Sequence, residues 1–221
     1  MMRNIVIGLS MLLGACSAGG PQYQQQVQDL KNIDYAMNVS DFYRSARAER
    51  NLKLVSGQQY VAVFELSDGW TAFQVKKFST KDVVAKFNNV NFSVMNAIAD
   101  RNGKLKVINA ETDMTATALH ELYQQLDSSF GQPLRKDTVS YTKYHCAYRY
   151  TWEGKQQVFQ LFSIFNPEHP ESLDEINAKI PDPDLRIVND KPTSSLFICE
   201  KSELNSVLAL KLSEGNWSKF N

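Results

Sequence analysis

Three pairs of β-rich runs, each pair broken by a tight-turn signal, constrain this chain more than anything else in it. Residues 59–66 and 70–78 flank Ser67-Asp68-Gly69, and residues 91–99 and 104–109 flank Asp100-Arg101-Asn102-Gly103. A third pair, a run from Lys143 to Trp152 and another over residues 157–165, flanks Glu153-Gly154-Lys155. Alternating runs on either side of a Gly-containing turn read as antiparallel hairpins, because parallel neighbours need a crossover of a dozen or more residues. The strand period of two puts Tyr60, Ala62, Phe64 and Leu66 on one face of the first run. In the last hairpin it puts Tyr144, Cys146, Tyr148, Tyr150 and Trp152 on one face, and Lys143, His145, Ala147, Arg149 and Thr151 on the other. The aromatic face is expected to be core. Residues 157–165 are apolar on both faces and are expected to form a central strand.

Helical patterns alternate with the hairpins. Ser40 can cap a helix over residues 41–50. Ser79 and Asp82 predict a second that runs to Asn88 and buries Val83, Val84 and Phe87. The strongest pattern has Thr112 or Asp113 as its cap. Met114, Ala118, Leu119, Leu122, Tyr123 and Leu126 form its stripe, and Phe130-Gly131-Gln132-Pro133 its stop. Residues 166–194 carry five prolines and many acids. A helix over residues 172–179 with a Ser172/Glu175 capping box, a strand over 195–200 and a helix over 202–212 are expected there and beyond. The α-β-β unit recurs about every 35–40 residues, a spacing in the range of repeats. The prediction is an α+β fold of antiparallel sheet built from these units, with helices on one face. Residues 29–110 and 111–221 read as an N-terminal and a C-terminal α+β part, or as one continuous domain.

The start of the chain carries an address. After Met1-Met2-Arg3-Asn4, an apolar run reaches Leu13, far short of the roughly 20 residues that span a bilayer but suited to a signal-peptide core. Leu13-Gly14-Ala15-Cys16 resembles the lipobox of bacterial lipoproteins. The resemblance implies a diacylglycerol thioether on Cys16, cleavage of residues 1–15 as a signal peptide, and acylation (palmitate) of the new amino terminus. Ser17 is similar to the sorting residue of outer-membrane lipoproteins, which implies a lipid-anchored protein facing the periplasm or the cell surface. Residues 16–28, small, polar and Gln-rich, read as a flexible tether. Farther along, residues 122–165 resemble envelope modules of the BamE and β-lactamase-inhibitor-protein type, through Phe130-Gly131-Gln132-Pro133 and Tyr150-x-Trp152. That likeness brings no binding residues with it.

With Cys16 assigned to lipid, Cys146 and Cys199 remain as an even pair in an oxidising compartment. A disulfide between them is the expectation, worth about 4 kcal/mol in chain entropy. A catalytic thiol or a metal site is the alternative, since His145 adjoins Cys146, but strand neighbours point to opposite faces. The 24 basic and 24 acidic residues balance, which argues against nucleic acid or anionic lipid as a ligand of the chain as a whole.

Signatures of chemistry are broken or missing. His120-Glu121 begins a metalloprotease-like pattern, but Gln124 stands where the second histidine belongs. His120 falls on the polar side of its helix and is expected to be solvated. His145 lies on the polar strand face, and His169 sits between Pro167 and Pro170. There is no nucleophile elbow or phosphate-binding Gly loop. Asp182/Asp184 and Glu171/Asp174/Glu175 lack the spacing of a calcium loop and read as solvated acids. No metal or cofactor is expected. The reading is a membrane-anchored, non-enzymatic binding, assembly or inhibitor module whose partner is an envelope protein or cell-wall component. The alternative is an envelope hydrolase with its site among His120, His145, Glu121 or the acidic loop.

Overall fold

Each of the three turn signals joins a hairpin. The computed structural model describes residues 27–39, 60–66, 69–76, 83–140, 146–169, 171–187, 191 and 193–203. The first hairpin is β2 (Tyr60–Glu65) with β3 (Thr71–Lys76), and a short strand β1 (Gln28–Asp29) precedes it. Two small strands, β4 (Ala85–Phe87) and β5 (Val90–Phe92), lead to the second hairpin, β6 (Val94–Ala99) with β7 (Leu105–Asp113). Helix α1 (Ala116–Phe130) then carries the chain to β8 (Arg135–Ser140) and to the third hairpin, β9 (Cys146–Glu153) with β10 (Gln157–Ser163). Helix α2 (Leu173–Ala178) and β11 (Thr193–Glu200) complete the described elements.

Eight strands form one antiparallel sheet in the order β2-β3-β6-β7-β11-β10-β9-β8. The boundary between residues 110 and 111 falls inside β7, which pairs with β6 on one side and β11 on the other. A second sheet, β1-β4-β5, has β1 parallel to β4. The fold is α+β, and both described helices pack on one face of the large sheet. On that face Leu119, Leu122, Tyr123 and Leu126 of α1 share a core with Phe73, Ile108, Phe159, Leu161, Leu196, Ile198 and Trp152 from the sheet. Leu30, Phe87 and Phe92 of the N-terminal segment and small sheet join the same core. Rings fix its geometry: Phe130 stacks on Phe159 at 4.4 Å, and Tyr123 meets Tyr150 and Trp152 edge-on at 5.4 and 5.6 Å. The opposite face buries Ala72, Ile98, Val107, Val158, Phe197 and Cys199. A polar ladder interrupts it: the Gln74 amide donates to Asn96, and Asn96 and Asn109 both donate to Glu111. Gln74 and Asn96, and Asn96 and Glu111, lie on neighbouring strands, so a one-residue slip of β3, β6 or β7 would separate them.

Helix boundaries follow local chemistry. Thr115, rather than Thr112 or Asp113, caps α1 by accepting from the Ala118 N–H, because β7 pairs as far as Asp113. Gly131 ends the helix at φ 81°, where a side chain is disfavoured. Ser172 and Glu175 form the capping box of α2.

The expectation at Asn88 is corrected. The helix running to Asn88 is replaced in its last turn by β4, and Asn88 at φ 52° begins the turn into β5. Val84 and Phe87 are buried in either reading, and asparagine tolerates the left-handed turn that makes the strand. Strand β8 falls in a stretch to which the sequence reading assigns no element. It borders the large sheet, and among the described residues it pairs with β9 alone. Cys199 is a buried thiol without a disulfide among the described residues, and the register sets it apart from the backbone of Cys146. Val158 stands opposite both Cys199 on β11 and Glu153 on β9. Glu153 and Cys146 are the two ends of β9, about 23 Å apart at the rise of a strand, and the Cα atoms of a disulfide lie within about 7 Å. The expectations over residues 41–50 and beyond Glu203 lie outside the described residues.

Burial, with a smaller contribution from Glu203, pushes the Cys199 thiol up to about 12. It should therefore resist a thiol reagent in the native protein and react fully in urea without any reductant. Mass spectrometry of the unreduced, denatured chain checks this, and an unlabelled Cys199 there would restore the disulfide.

Candidate functional site

The residues singled out from the sequence scatter. His120 lies on α1, half-buried instead of solvated. Its Nδ1–H donates to the Pro167 carbonyl at 2.8 Å, and its Nε2 accepts from the Gln124 amide at 2.8 Å, so both ring nitrogens are engaged and the tautomer is set. Glu121 is exposed and lines a separate hollow of about 340 Å³ with Asn89, Thr115 and Lys191. His169 is exposed, while His145 and Cys16 lie outside the described residues. The acids of the 171–184 stretch act locally: Glu171 pairs with Lys179 at 2.6 Å, Glu175 closes the α2 capping box, and Asp182 accepts from the Asp184 N–H. Tyr150 and Trp152 point into the core under α1, and Arg149 on the other face pairs with Asp137. Among the described residues no group of three or more His, Cys, Asp or Glu gathers at metal-binding distance.

One polar centre was missed from the sequence. Glu168, in the connection after β10, receives the Tyr123 and Tyr150 hydroxyls at 3.0 Å each and the Lys136 ammonium. Burial alone would raise the Glu168 carboxyl; hydrogen bonds from Lys136, Tyr150 and Tyr123 outweigh it and hold the group below its usual range. The same burial, reinforced by the bonds to Glu168, raises both tyrosines. The carboxylate is thus ionised and accepts three hydrogen bonds, and the hydroxyls keep their protons. Such a centre does not transfer protons readily at neutral pH. With His120 on Pro167, it pins residues 166–168 against α1, β8 and β9.

The open surface lies at the other end of the third hairpin. Two hollows, of about 450 and 610 Å³, meet at Gln156 beside the β9–β10 turn. The turn is fixed by Gly154 N–H donating to the Gln157 carbonyl at 2.8 Å and by Lys201 N–H donating to the Gln156 carbonyl at 2.9 Å. A Cβ on Gly154 would stand 3.3 Å from the Gln157 oxygen and 3.4 Å from the Phe130 ring, so the turn sits directly against that ring. The facing wall comes from the N-terminal segment. Buried Leu30 anchors it, and Asp29 accepts from the Lys31 N–H at 3.0 Å and the Asn32 amide at 2.9 Å. Lys31 and Asn32 are thereby held opposite Lys155 and Gln157 across the smaller hollow. The larger one is more acidic, with Asp34, Tyr35 and Glu200 in its wall. No sequence signal joins these walls, since the segments are far apart along the chain and neither carries a motif.

No family model, curated protein or solved structure matches this chain, so the likeness read at Phe130–Pro133 and Tyr150–Trp152 remains a local one.

Replacing Glu168 by Gln should lower stability by about 1–3 kcal/mol at neutral pH, the scale of hydrogen bonds to a charged group. The depressed carboxyl stabilises the fold above its unfolded value, near 4.5, and that gain disappears as pH falls through the lower folded value. Urea unfolding of both proteins from pH 7 down to pH 3 should therefore show the difference shrinking as acid is added. A difference that persists or grows in acid would contradict the assignment.

Proposed function

We propose that the protein is an envelope lipoprotein, held at the outer membrane by lipid on Cys16, whose α+β body is a non-enzymatic binding module. The observation that carries this reading is Leu13-Gly14-Ala15-Cys16 after a short basic start and an apolar run too short to span a bilayer. One acyl chain anchors marginally and two or more anchor firmly, so a lipidated and acylated Cys16 suffices without a membrane-spanning helix. The residues between Cys16 and Val27 can reach about 40 Å at most, which leaves the body free to meet a partner beside the membrane.

The state of the body's polar groups supports binding over hydrolysis. Glu168 and His120 are consumed in holding the connection after β10. The smaller of the two hollows at Gln156 is walled by lysines, amides and two aromatic residues, groups that recognise more readily than they catalyse. The partner belongs to the envelope, either a protein or a component of the cell wall.

Cells fed a clickable palmitate should label the wild-type chain and retain it in the membrane fraction. Cys16→Ala should lose the label and leave the chain soluble or uncleaved. Continued labelling of the variant would sink the anchor.

A further inference from the structure

We infer that the hollow between the Lys31–Asn32 turn and the β9–β10 turn is a binding site for a carboxylated sugar. This deepens the reading of the body as a binding module and is independent of the anchor. The hollow, about 450 Å³, falls within the size range of small-molecule sites. Its wall carries Lys31 and Lys155, the amides of Asn32, Gln156 and Gln157, and no carboxylate. In a chain with 24 basic and 24 acidic residues, that is a local departure from balance.

Two of the nearby acids, Asp29 and Glu153, are already committed. Both carboxylate oxygens of Asp29 accept hydrogen bonds, from the Lys31 N–H and the Asn32 amide. Glu153, at the start of the turn, is paired with Lys201. Neither the Lys31 nor the Lys155 ammonium has an ion-pair partner among the described residues. Two cations therefore line one hollow whose wall holds no carboxylate.

The rest of the wall selects the body of the ligand. Side-chain amides both donate and accept, which matches hydroxyl groups that do the same. Gln157 has a buried side-chain oxygen without a partner, so its amide gains by turning toward a donor. Half-buried Phe130 lines the hollow and is backed by Phe159 at 4.4 Å. The negative face of such a ring suits the C–H face of a pyranose. A compact inorganic anion would use the lysines and leave the amides and the ring idle. A neutral sugar would leave the lysines idle. A carboxylated sugar uses all three.

The test is calorimetric titration of the whole chain, purified as its own cells make it, with glucuronate, glucose and inorganic phosphate as separate probes. Glucuronate should bind about tenfold tighter than either of the others. Lys31→Glu combined with Lys155→Glu should weaken glucuronate about tenfold or more with the melting temperature unchanged, and the corresponding pair of arginine substitutions should keep binding. No heat with glucuronate, equal affinity for glucose, equal affinity for phosphate, or undiminished binding by the charge-reversed chain would each overturn the site. Palmitate labelling is read separately, so a failed site and a failed anchor are distinguishable.

Discussion

Everything in the large sheet depends on the pairing of β11 with both β7 and β10. The strands from residues 60 to 113 make one half of the sheet, and those from 135 to 163 make the other. Among the described residues, no hydrogen bond of the sheet joins the halves except through β11. Without it, Ile108 and Leu161 would stand on open edges instead of in the core. The last described strand closes a pairing whose partners lie far back in the chain, and such contacts are slow because loop-closure entropy comes first. Helix α1 reinforces the join, since its stripe shares one apolar cluster with residues from both halves and with Leu196 and Ile198 of β11.

The connection between β10 and β11 has no need to be long. Antiparallel neighbours can be joined by a turn of a few residues, yet here the chain leaves the sheet after Ser163 and returns at Thr193. A loop of that length must be held down or it costs entropy without return. Glu168 supplies the hold, aided by His120 on Pro167 and by the Asn177 amide on the Ile187 carbonyl. The ionisable residues that invite a catalytic reading are in this way used to attach a loop.

Local signals were legible and distant ones were not. The three hairpin turns, the stop at Gly131 and the Ser172/Glu175 box each depend on residues a few positions apart, and the structure forms all of them. The residues around Phe87 misled because Val84 and Phe87 suit one face of a helix as well as a buried strand, and only pairing with Val90 decides. Strand β8, Arg-Lys-Asp-Thr-Val-Ser, is mostly polar and carries no strand signal of its own, and its pairing with β9 makes it a strand. The cysteine pair was inferred from compartment and parity, neither of which knows the register that sets Cys199 level with Glu153. Lys136, Tyr123, Tyr150 and Glu168 meet only through the fold. The same holds for the Lys31 and Lys155 walls.

The charged border strand bears on crowding. A chain held on a surface, as proposed, meets copies of itself at far higher frequency than one diffusing in solution. An apolar open strand under those conditions invites edge-to-edge zippering. Arg135, Lys136 and Asp137 occupy the first half of β8 and are engaged in ion pairs within the same molecule. A neighbour docking its own β8 there would have to strip water from both sets of charges, and would gain few apolar contacts in exchange. At this border the charges disfavour such docking.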